Sequence, residues 1–212
     1  MASKTEICNL ALGHIGVGKE IANIATEKTE TAAVCNRFYE TAKDAVLRDF
    51  EWPFATKFRD LSLIESNPTV EWGYSYSYPS DCLKMRRILI GNVAANYRVG
   101  QPYVTEDTVQ RSPYRIVQGP SGTAIFSNQS EATAEYTARI DDPTVYPPDF
   151  VMALSWRLAA YIAPTVTGGD PFNLTQKAMQ AYKLEIAEAS AQSFNEEQPY
   201  PEKRSELERI RD

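Results

Sequence analysis

Residue types that catalysis and metal binding depend on are scarce in this sequence. His14 is the single histidine, so any histidine-based triad or metal cluster has to use it. The three cysteines, Cys8, Cys35 and Cys82, are odd in number, far apart and free of any C-x-x-C pair. That spacing excludes a complete disulfide framework and a cysteine-based zinc site, and it reads as the thiol usage of a reducing cytoplasm. No stretch approaches the roughly 18 apolar residues of a membrane span, and the opening "MASKTEICNLALGHIG" lacks a basic segment followed by an apolar core. Neither a membrane anchor nor export is expected, so the sequons at Asn128 and Asn173 carry no weight. An excess of positive charge is missing too. Lys and Arg number 22 against 28 Asp and Glu, a net charge of −6, which confines any contact with nucleic acid to local patches.

What the chain does have is a clear change of periodicity along its length. Ser3 and Glu6 form a capping box, after which Ile7, Leu10, Ala11 and His14 share one helical face up to a stop at Gly16. From about Thr29 to Phe50, Val34, Phe38, Ala42 and Ala45 recur at helical spacing, and Pro53 in "EWPF" ends the run. A third helix follows "YPPDF", with Asp149 as its cap and Val151, Leu154, Leu158 and Ile162 as its stripe. A fourth starts near Pro171 and carries Leu174, Ala178, Ala181, Tyr182, Ile186 and Ala189. Between the two helical pairs, "EWGYSYSY", "KMRRILI", "YRIVQG", "TAIFSN" and "ATAEYTARI" have the alternation and β-branched or aromatic content of strands. "QGPSGT" suits a hairpin turn, with Pro120 at its second position and Gly122 at its fourth.

The expected fold is therefore α+β. A four-helix core, two helices from each end of the chain, takes residues 1–55 and 141–194, and a β-rich insertion takes 56–140 between helices 2 and 3. Residues 195–212 read as an extended C-terminal arm, polar and charge-mixed, with too few apolar residues for a core of their own.

No catalytic, cofactor-binding or metal residue is assigned. "GHIGVGKE" fits the first seven positions of a phosphate-binding G-x-x-x-x-G-K loop through Gly13, Gly18 and Lys19, but Glu20 stands where a Mg²⁺-holding Ser or Thr is needed. The loop would also leave a helix instead of a strand, so Gly16 and Gly18 read as turn glycines. Ser121 in "GPSG" lacks the spacing of a nucleophile elbow, and Asp141 with Asp142 lacks the alternating ligands of a calcium loop. Basic residues do gather at Lys84, Arg86, Arg87, Arg98, Arg111 and Arg115, near Trp72, Tyr74, Tyr76 and Tyr78. Aromatics with arginines suit a single-stranded nucleic acid platform, but the reading preferred here is that these arginines meet carboxylates of the acidic remainder, in this chain or in a neighbouring copy, since aromatics with arginine are also the composition of protein interfaces.

Four segments in order, "ICNLALGHIGVGKEIANI", "CNRFYETAKDAVLRDFEWPFA", "WGYSYSYPSDCLKMRRI" and "YTARIDDPTVYPPDFVMALSWRLAAYIAPTVTGG", resemble the head-to-tail adaptor (connector) family of tailed bacteriophages, which includes podovirus tail tubular proteins. The resemblance spans about residues 5 to 190. It implies a structural virion protein without catalysis, made in the host cytoplasm and located in the neck of the particle. There a dodecameric ring would join the portal protein to the tail nozzle or tail tube and enclose the channel through which genomic DNA leaves without sequence-specific binding. Trp72, Tyr74, Tyr76 and Tyr78 would then anchor packing within the β insertion or contacts with the adjacent subunit, the second being preferred, and Arg86 and Arg87 would add charged contacts. Tyr200, Arg204, Leu207 and Ile210 in the arm would dock on the portal. Another phage connector, such as a tail terminator or stopper, would share the ring but meet different partners.

Overall fold

A computed structural model describes residues 2–18, 20–90, 111–119, 122–170 and 172–196. Over these residues the chain is mixed α+β, with four helices and two antiparallel four-stranded sheets. It divides into two compact units, one made of Met1–Thr56 with Thr137–Glu196 and the other of Lys57–Tyr136.

The first unit holds all four helices. Helix α1 (Lys4–His14) starts where the Ser3 hydroxyl accepts the Glu6 N–H at 3.1 Å, and it is left through Gly16 at φ +78°, a conformation that favours glycine. The loop that follows is tied down by side chains, because it has no ladder of its own. Asn9 pairs with both backbone groups of Ile21 (3.0 and 2.9 Å), and Asn36 donates to the Ile24 carbonyl at 2.8 Å. Helix α2 (Glu30–Asp49) is capped by Thr29 and ends at Phe50, whose backbone is extended ahead of Pro53.

Helix α3 (Pro148–Val166) differs from expectation at its start. Pro147 is the cap and Pro148 the first helical residue, so Asp149 lies inside the first turn. Proline favours that position because its missing N–H would have no helical partner there, and the Asp149 carboxylate meets the positive end of the helix dipole. Helix α4 (Leu174–Glu196) is capped by Asp170, which accepts the N–H groups of Leu174 and Thr175 at 2.5 and 3.1 Å.

Aromatic packing joins the ends of these elements. Trp52 is fully buried, donates from its indole to the Val46 carbonyl at 2.9 Å and meets Phe150 edge to face at 5.0 Å. Phe50, Phe54 and Tyr146 complete the cluster. Tyr182 of α4 donates to Asp49 of α2 at 2.8 Å, and the Arg157 guanidinium of α3 lies 5.0 Å over the Tyr182 ring. Lys43 is buried and bonded to Glu40 (2.6 Å) and Asp141 (2.5 Å), which supplies the partners a buried ammonium requires.

The second unit is built from strands β1 (Thr56–Asp60), β2 (Leu63–Ser66), β3 (Tyr74–Ser77), β4 (Cys82–Ile90), β5 (Arg111–Ser112), β6 (Tyr114–Gly119), β7 (Gly122–Ser127) and β8 (Ala132–Ala138). One sheet has the order β1-β8-β4-β5 and the other β2-β3-β7-β6. Each of the five strand-like runs read from the sequence contributes a strand, whereas β1, β2 and β5 were not separately delimited there. Gly119 pairs with Gly122 across the hairpin, while Pro120 itself lies outside the described residues. The two sheets are linked at β5 and β6, where the Ser112 hydroxyl meets that of Ser127 at 3.1 Å and the Tyr114 hydroxyl donates to the Met85 carbonyl at 3.3 Å. Their shared interior holds Tyr76, Ile88, Ile125 and Tyr136.

Trp52→Ala should destabilise the protein by about 3–5 kcal/mol, the range for removing a buried aromatic. Urea unfolding followed by far-ultraviolet circular dichroism measures it. A loss below about 1 kcal/mol would contradict the anchoring role given to this residue.

Candidate functional site

The aromatic strand and the basic strand after it belong to different sheets and are joined by a short turn. β3 supplies Tyr74 and Tyr76, whose ring centroids lie 6.3 Å apart on one face. The turn closes with the Cys82 N–H donating to the Pro79 carbonyl at 3.1 Å, and the Cys82 thiol donates to the Tyr78 hydroxyl at 3.1 Å. Asp81 fixes the turn within the sheet. Its two carboxylate oxygens accept from Lys57 Nζ of β1 at 2.7 Å and from the Tyr136 hydroxyl of β8 at 2.9 Å. The Lys57 bond, aided by Tyr136, holds the Asp81 carboxyl below its ordinary range, and burial beside that carboxylate pushes the Tyr136 phenol up.

The residues singled out from the sequence separate into two groups here. Tyr76 is only 1% exposed and its hydroxyl donates to the Gln129 carbonyl, so it is a core residue of the β unit. Arg86 and Arg87 both reach Glu135 of β8. Glu135 is itself buried and pairs with Arg87 Nε and, at 3.8 Å, with Arg86 Nη1. These two arginines thus neutralise a buried carboxylate, which the sequence reading did not single out. A platform for nucleic acid phosphates would have to draw on the same charges. Trp72, Tyr74 and Tyr78 keep part of their surface open. Trp72 precedes β3 and lines an open hollow of about 580 Å³ with Val70, Arg115, Ile116 and Phe126. Tyr200, Arg204, Leu207 and Ile210 lie outside the described residues.

The exposed apolar residues of the unit are Phe58 on β1, Leu63 and Ile64 on β2, Val70 beyond it and Ile116 on β6. All four strand positions are on outermost strands of their sheets. The sequence offered a signal for them that went unread: "KFRDLSLIES" spreads apolar residues among polar ones over ten residues without a glycine or proline.

The enzymatic alternatives look different once the geometry is known. His14 stacks on Trp156 at 3.5 Å between ring centroids and lies 2.9 Å from the Ser155 hydroxyl. Ser155 is fully buried and donates its one proton to the Met152 carbonyl at 2.8 Å, so toward His14 it accepts. The imidazole is therefore the donor, in its neutral Nε2–H form, and burial lowers its pKa in keeping with that. A serine whose proton is already committed to a carbonyl, away from the histidine, is not an activated nucleophile. Gly13 of the phosphate-loop-like segment lies within α1, with a helix before the loop, and Lys19 lies outside the described residues. Cys8 and Cys35 are buried thiols in mutual contact, and that contact with burial pushes the Cys8 thiol up. Among the described residues, no group of three or more His, Cys, Asp or Glu has an arrangement suited to a metal ion, and no helix is long and apolar enough to cross a membrane.

Neither protein-family models nor curated proteins give a match to this chain.

The Asp81 contacts generate a pH dependence. A carboxylate with a depressed folded pKa contributes stability that is fully present above its unfolded pKa, near ~3.9, and is lost as pH falls through the lower folded value. Urea midpoints measured from neutral pH down to about pH 2 should fall less steeply below about pH 4 for Asp81→Asn than for the wild type. Parallel curves would contradict the assignment.

Proposed function

We propose that this chain is a structural subunit of a tailed-phage neck, a head-to-tail adaptor that forms a ring between portal and tail. In this reading the four helices act as a core into which the β unit is inserted, the core serving as the rigid body and the sheets as the contact surface. The observation that carries it is the β unit, whose outermost strands expose Phe58, Leu63, Ile64 and Ile116. Apolar residues on open strand edges are a liability in a monomer and an asset in a subunit. The ordered resemblance of four segments to the adaptor family supports the same reading, as does a histidine whose bonds suit packing.

Each copy of such a ring presents two different faces to its neighbours, and closure follows when the rotation between them fits. The portal on one side and the tail tube or nozzle on the other complete the stack. DNA passes through the middle, and a net charge of −6 suits a conduit in which phosphates must slide and not stick. The arm with Tyr200, Arg204, Leu207 and Ile210 is assigned to the portal, since its charge-mixed sequence with spaced apolar residues suits contact with a large surface.

Electron microscopy of the purified chain mixed with the portal of the same virus should show rings of twelve copies seated on it. A chain that stays monomeric and ignores the portal would overturn the adaptor reading, and rings that bind a tail protein but no portal would make it a different connector. Deleting residues 197–212 should weaken portal attachment while leaving the circular dichroism spectrum and melting temperature of the body unchanged. Undiminished portal binding by the truncated chain would remove the arm from the docking role.

A further inference from the structure

The sheet β2-β3-β7-β6 ends, among the described residues, in two strands whose side chains complement each other. β2 is exposed along its whole length and carries Leu63, 51% exposed, and Glu65. β6, at the opposite edge, carries Ile116, 46% exposed, and the exposed Arg115. The register aligns these residues. Leu63, Tyr76, Ile125 and Ile116 make one row across the sheet, and Glu65, Ser75, Phe126 and Arg115 make the adjacent row on the other face. Each row therefore begins and ends in residues that suit one another, apolar with apolar on one face and carboxylate with guanidinium on the other. Among the described residues neither Glu65 nor Arg115 forms an ion pair within its own chain.

Strand direction permits the join as well. Three antiparallel pairings separate β2 from β6, so the two edges run in opposite senses. Laying β6 of one copy beside β2 of the next continues an antiparallel sheet. Leu63 and Glu65 stand two residues apart with a bulge between them, whereas Ile116 and Arg115 are adjacent, so β6 continues both rows by meeting the β2 bulge as β3 does.

We propose that the β2 edge of each copy pairs with the β6 edge of a second copy of this chain, setting Glu65 beside the partner's Arg115 and Leu63 beside the partner's Ile116. The proposal rests on the ring-forming reading and names the contact that builds the ring. Main-chain bonds between the edges supply affinity, and the two side-chain rows fix partner and register.

Charge reversal tests it. Sedimentation velocity over a range of concentrations, with and without the portal, should show Glu65→Arg and Arg115→Glu each weakening self-association roughly tenfold or more, because each places like charges together. The double variant carrying both changes should recover most of the wild-type association, since every contact again holds one charge of each sign. Independently, mild oxidation of a chain carrying both Leu63→Cys and Ile116→Cys should give a ladder of linked copies that neither single variant gives. Wild-type-like association of both charge variants with no ladder, or weakening that the double variant does not rescue, overturns the edge pairing while leaving the ring reading standing. A wild-type chain that never self-associates, alone or on the portal, overturns both.

Discussion

The helical unit depends on what Trp52 touches. Pro53 stops α2 and turns the chain toward the sheets, and the chain returns to the same unit through Pro143–Val145 and the first turn of α3. Trp52 and Phe54 come from the departing segment, whereas Tyr146 and Phe150 come from the returning one, and all four pack in one cluster. Two segments about ninety residues apart in sequence are thereby held together at a heavy entropic cost of loop closure, which the burial of large rings offsets. Arg139 with Asp44, and Lys43 with Asp141, tie the returning segment to α2 a few residues earlier. The ion pairs fix where the segment lies, and the aromatics supply most of the stabilisation.

Within the β unit the ordering of charge matters more than its amount. Glu135 and Asp81 are each held by two donors from other strands, so β8, β4 and β1 are aligned by polar bonds as well as by the ladder. Both sheets keep outer strands, with Phe58 exposed on β1 and Leu63, Ile64 and Ile116 exposed on β2 and β6.

Helix positions were legible in the sequence because apolar residues recur at helical spacing and because Ser3, Thr29 and Pro53 mark ends by local chemistry. The cap was misplaced by two positions, at Asp149 instead of Pro147, because "YPPDF" offers both a proline start and an acidic cap, and the proline prevails when its missing N–H costs nothing. Of the alternating Trp72, Tyr74, Tyr76 and Tyr78, only Tyr74 and Tyr76 lie within β3, and alternation alone does not reveal which of them is covered. Tyr76 is covered, and Tyr74 is half-open. That Arg86 and Arg87 meet a carboxylate was expected from the acidic remainder, but Glu135 itself was not legible, because it is nearly fifty residues away and beyond any local pattern. Rows that cross four strands, such as the one from Glu65 to Arg115, become visible only when the register is known.

Hydrogen–deuterium exchange on the free and the assembled chain addresses the central claim most directly, because main-chain pairing protects the amides that form it. Edge-to-edge assembly predicts that Leu63–Ser66 and Tyr114–Gly119 gain protection together when rings form, while β3 and β7 between them change little. Assembled rings in which both edges exchange as fast as in the free chain would contradict it.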